Sequence, residues 1–150
     1  MLAMMDGKVD ISKVLQMCMF HDIAEARISD LNYVHQKYVD KKEHQAVKDM
    51  TDSTPFGDKM FATINEYEER KTKESILVKD ADNLEWILAL KEELDTGNTR
   101  ALSWIKPAIK RLKTSQAKII AKEIMSMDSN DWWFDKQSQK SKWWVDRNKK

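Results

Sequence analysis

The sequence is poor in the residues that close tight turns or staple a fold. Three glycines and two prolines in 150 residues are too few for a set of hairpins. No stretch alternates apolar and polar residues in the manner of a half-buried strand. A single cysteine, Cys18, excludes a disulfide framework within the chain and fits a reducing, cytoplasmic setting. No run approaches the ~20 apolar residues of a bilayer span. The opening segment MLAMMDGKVD lacks the basic region of a signal peptide. Charge of one sign is also missing: 26 Lys and Arg stand against 25 Asp and Glu, a formal net of +1. There is thus no global field pointing to a membrane, and nucleic acid is not expected as a partner.

What is abundant favours helix: Met, Leu, Ala, Lys and Glu. MLAMM reads as the last turns of a helix closed by Gly7. Asp10 is a candidate N-cap for a helix whose apolar face is Ile11, Val14, Leu15, Cys18 and Met19, with Cys18 a small buried hydrophobe. A short helix over IAEARI ends at Ser29 and Asp30. Residues 32–52 read as one polar helix with His35 and His44 on its solvated side. Pro55 and Gly57 break the chain, and a helix through Met60, Phe61, Ile64 and Tyr67 follows. The longest helix starts at Thr72, carries Leu77, Ala81, Leu84 and Leu88 on one face, and ends at Gly97. A helix interrupted by Pro107 and a last one through Ala117, Ile120, Ala121 and Ile124 complete an all-α bundle of about six helices. The domain boundary falls at 1–133. Residues 134–150 form a polar Trp/Lys tail, and Trp132 and Trp133 are expected to pack back on the bundle.

The chemistry concentrates in MCMFHDIAEARISDL, residues 17–31. His21 and Asp22 are adjacent at a helix end, followed by Glu25 and Asp30. A neutral imidazole with carboxylate oxygens suits a divalent cation such as Mn, Co, Fe, Zn or Mg. The plain alternative is a capped helix end with a surface histidine. A metal site needs a ligand from elsewhere. Asp82, an acid embedded in the apolar helix VKDADNLEWIL, is the first candidate, because a lone carboxylate is costly to bury there; Asp80 competes with it.

HDIAEARISDL together with EYEERKTKESILVKDADNLEWIL resembles the HD-domain metal-dependent phosphohydrolases, in the branch of the 5'-deoxynucleotidases, over roughly residues 1–133. The resemblance implies that His21, Asp22 and Asp82 are metal ligands and that Glu25 moves a proton. It implies that Asp30 orients the attacking water or the sugar. The implied reaction is metal-assisted hydrolysis of a 2'-deoxynucleoside 5'-monophosphate to nucleoside and phosphate. Ser29 stands where the family usually has glycine. The family pattern also has a histidine on an upstream helix, and none precedes His21 here. The chain therefore reads as truncated relative to the family, with apolar faces left for a homodimer. The alternative function is a non-catalytic helical nucleotide-binding or protein-interaction module.

Overall fold

The structure, a computed structural model, describes residues 1–132. Trp133 and the expected tail at 134–150 lie outside the described residues. Those residues form eight α-helices and one 3-10 turn, with no strand among them. The helices are α1 (Leu2–Asp6), α2 (Ile11–Phe20), α3 (Glu25–Ile28), α4 (Glu43–Thr51), α5 (Gly57–Glu69), α6 (Lys73–Asp95), α7 (Ala101–Arg111) and α8 (Ser115–Ser126). The all-helical class expected from composition is observed. The chain divides into two compact units, Met1–Lys79 and Asp80–Lys150.

In the first unit, α2 and α4 pack on α5, α3 packs on α4, and α1 on α2. Local chemistry sets the helix boundaries. Gly7 takes the left-handed conformation, φ 65°, that ends α1. The Asp10 carboxylate accepts from the Lys13 N–H and caps α2. Glu74 accepts from the Asp10 N–H at 3.0 Å. That bond holds the Glu74 carboxyl below its usual range. At Gly57 an added Cβ would lie 2.0 Å from the Thr51 carbonyl oxygen, so only glycine lets the chain re-enter a helix so close to the end of α4. Two clusters of buried residues contribute to the core of this unit. One joins Ala24, Ala46, Val47, Met60 and Ile64, and the other Val14, Met17, Tyr67 and Val78. Each large apolar side chain buried there is worth roughly 1.5–3 kcal/mol of transfer free energy.

Two expectations for this unit are corrected and a third is met. The inward face of α2 is Val14 and Met17, while Ile11, Leu15 and Met19 are more than half exposed and Cys18 is exposed rather than buried. Residues 32–52 are not one helix. The Asn32 side chain accepts from the N–H groups of Val34 and His35 and so opens a turn just after it. A 3-10 turn, His35–Lys37, results, and α4 begins only at Glu43. Finally, α5 starts at Gly57 and buries Met60, Ile64 and Tyr67 as its spacing indicated.

In the second unit the link from α7 to α8 is held by one carboxylate. Asp80, 1% exposed, accepts from the N–H groups of Lys113 and Thr114 and from the Thr114 hydroxyl at 2.7–3.1 Å. Thr114 in turn caps α8 through the Ala117 N–H. Lys91 pairs with Asp95, which also accepts from the Ser129 N–H. Burial raises the Asp95 carboxyl, but Lys91 and Ser129 outweigh it and leave the group below its usual range. Pro107 does not interrupt α7. It sits on the exposed side, where the Ser103 carbonyl that loses its helical donor can meet water. On α6, Ile87 is buried and Leu88 is 48% exposed, against the face expected through Leu88. Trp132 is 82% exposed, not packed back as expected.

Candidate active site around His21 and Asp22

Val14, Met17 and His21 recur at spacings of three and four, so the inward face of α2 ends in the imidazole. His21 is the C-cap of α2 and keeps helical backbone, its N–H bonding to the Met17 carbonyl. Its Nδ1 lies 3.0 Å from the Cys18 carbonyl oxygen. A carbonyl only accepts, so Nδ1 carries the proton and donates. The ring meets the Tyr67 ring edge-on, with centroids 5.1 Å apart and planes at 68°. Its Nε2 is 3.0 Å from Asp22 Oδ2.

That last distance decides what the pair can do. With Nδ1 protonated, a neutral imidazole offers Asp22 a lone pair, and two acceptors at 3.0 Å repel. They are reconciled by a second proton on the ring or by a cation that both atoms bind. Two ligands at 90° on one octahedral divalent cation, at bonds of about 2.0–2.2 Å, are about 3 Å apart, so the observed gap is compatible with a shared ion as well as with a plain ion pair. An Nδ1–H held by a backbone carbonyl is also the usual outer support of a histidine ligand. The donor set fits a divalent metal by chemistry and spacing. It is an open arrangement: no group of three or more His, Cys, Asp or Glu among the described residues is gathered to hold an ion.

Glu25 begins α3, its N–H bonded to the Asp22 carbonyl. Burial pushes its carboxyl above the usual range, and the charges of Asp22 and Asp30 push the same way, against Lys41 and His21. The structure therefore brings His21, Asp22, Glu25 and Asp30 into one electrostatic neighbourhood within the first unit. Between Glu25 and Asp30 the chain turns at Ser29, with φ 66° and ψ 156°, a conformation that favours glycine. Asp30 itself is exposed. Asp82 lies half-buried on α6, in the second unit. Asp80, its competitor, is filled by three hydrogen-bond donors of the α7–α8 link and is structural. His35 and His44 are exposed. The residues that sequence reasoning missed are Tyr67, expected only as core, and Cys18, whose contribution is a backbone oxygen. No side-chain pattern announces either.

A family model of the HD domain matches residues 1–125. Over 90 residues the chain is 36% identical to a 5'-deoxynucleotidase HDDC2 of Dictyostelium discoideum, covering 55% of this chain and 47% of the relative. The chain thus spans about half the length of the curated relative it matches. No solved structure matches it. The His-Asp doublet closing α2 and a family match running over most of its length lead to one assignment: the chain belongs to the HD-domain family.

Proposed function

We propose that the chain is a divalent-metal-dependent phosphohydrolase that cleaves 2'-deoxynucleoside 5'-monophosphates to nucleoside and phosphate. The observation that carries this reading is the Nε2–Oδ2 gap of 3.0 Å behind an imidazole whose Nδ1 proton is already committed to Cys18. The family match and the name of the Dictyostelium relative support the reaction class and the substrate class.

In this reading His21 and Asp22 hold the cation, and Asp82 is a further ligand on the strength of the block Lys79-x-x-Asp82-x-Leu84-Glu85. When bound, such a cation supplies Lewis acidity, polarising phosphoryl oxygens and acidifying water. The bond from water oxygen to phosphorus forms, the bond from phosphorus to O5' breaks, and O5' leaves with a proton. Glu25 is suited to the proton traffic. A carboxyl held above its usual range is a better acceptor from water and, once protonated, still acidic enough to donate to O5'. Asp30, one residue beyond the turn at Ser29, orients the water or the sugar.

The test is phosphate release from 2'-deoxyadenosine 5'-monophosphate by the purified chain with Mn or Co. Release that is lost with chelator and lost in His21→Ala supports the proposal. No release with either metal, or release undiminished in His21→Ala, overturns it.

A further inference from the structure

We infer that Tyr67 is a positioning residue for His21, and that Arg70 holds Tyr67 in place. The inference rests on the reading of His21 as a metal ligand, but its geometry stands independently.

One hydrogen bond fixes only one atom of an imidazole. The Nδ1 bond to Cys18 selects the tautomer, yet the ring can still swing about that contact and carry Nε2 away from Asp22. What blocks the swing is a second contact of known orientation. Tyr67 meets the His21 ring edge-on at 5.1 Å and 68°, within the geometry that aromatic pairs prefer. Tyr67 is itself buried, 2% exposed, and packs with Val14, Met17 and Val78. Val14 and Met17 lie on α2, the helix that ends at His21. The core that seats α2 therefore also seats the wall against which its terminal histidine rests.

Arg70 completes the arrangement from the C-terminal end of α5. It ends α5 with left-handed backbone, φ 52° and ψ 31°, and its N–H returns to the Tyr67 carbonyl. That reversal lays its side chain back over its own helix. The guanidinium carbon lies 3.3 Å from the Tyr67 ring centroid, a stacked cation on an aromatic face. Nη1 also donates to the Tyr67 carbonyl. A residue at the last turn of α5 thus clamps a tyrosine that in turn clamps the imidazole. Composition and periodicity show Tyr67 only as a core position; the function of its ring is visible only in the pair of contacts.

The test uses the full chain and compares Tyr67→Phe, Tyr67→Leu and Arg70→Ala by long-range proton–nitrogen NMR of the histidine rings. Spectra are recorded without metal at about pH 9, above the ordinary imidazole range. Mn affinity is measured alongside. In the wild type His21 should show one tautomer, protonated at Nδ1, and nuclear Overhauser contacts to the Tyr67 ring. Tyr67→Phe should preserve both. Tyr67→Leu should give mixed tautomers and bind Mn about tenfold more weakly, with the His44 signals unmoved. Arg70→Ala should fall between. A wild-type His21 that averages its tautomers or lacks the Tyr67 contacts overturns the inference. So does an unchanged His21 signal in Tyr67→Leu, or, should that variant not fold, in Arg70→Ala. A wild type that binds no Mn sinks the hydrolase reading instead, and the NMR readout still decides the positioning role.

Discussion

Asp22 and Asp80 are both carboxylates set among helices, and their oxygens are engaged in opposite ways. Asp80 is 1% exposed and accepts from two backbone N–H groups and a hydroxyl. Its negative charge is consumed in joining α6 to the α7–α8 link. Asp22 is 59% exposed at its side chain, and its Oδ2 lies 3.0 Å from His21 Nε2. Their surroundings differ in the same sense. Asp80 lies between long helices with a capped N-terminus on α8. Asp22 lies between α2 and the four-residue α3, which ends at Ser29 with φ 66°. A buried acid whose acceptors are all taken is structural; a half-solvated acid facing another acceptor has capacity left for chemistry.

The sharpest way to break this comparison is to remove each acid or its partner and ask what is lost. His21→Ala and Asp22→Ala should reduce phosphate release by at least about 10³-fold while leaving the thermal midpoint nearly unchanged. Asp80→Ala should do the reverse in kind. It strands two backbone N–H groups, costing about 3 kcal/mol in urea unfolding. Asp82→Ala, two residues on, should cost clearly less stability; a loss as large as that of Asp80→Ala would erase the distinction. A smaller effect is expected from Ser29→Gly, which relieves the φ 66° turn and should stabilise by about 1 kcal/mol. The smallest comes from Glu25→Gln. A carboxyl whose folded pKa is raised contributes stability below its ordinary value and loses it as pH rises through the raised one. The Gln variant should therefore gain stability at pH 7–8 and none at pH ~4, by well under 1 kcal/mol in metal-free buffer given solvent screening.

Much of the fold was legible because caps and breakers act locally. Asp10, Thr72, Gly7 and Gly57 mark boundaries through their own hydrogen bonds or steric needs, which no distant contact has to supply. Thr72, for instance, accepts from the Ser75 N–H at the start of α6. The phase of α2 was not legible. Ile11, Leu15 and Met19 compete with Val14 and Met17 around a helix that is apolar on most sides, and only packing against α5 chooses between them. The cost of that error was functional, because the correct face is the one that ends in His21. Counting Val14, Met17 and His21 at three and four would have exposed it. The break at 38–42 was hidden for a different reason: residues 32–52 hold no glycine or proline to mark it. In the site, the doublet and Glu25 were readable as motif, whereas the saturation of Asp80 depends on a partner 33 residues away and needed coordinates.

The account stands on His21 and Asp22 sharing a divalent cation. The most direct measurement is calorimetric titration of metal-free chain with Mn or Co, in the wild type and in Asp22→Asn. Saturable binding at one site in the wild type, weakened at least about tenfold in Asp22→Asn, is the predicted result. Wild type that takes up no metal, or Asp22→Asn that binds as tightly, would contradict it.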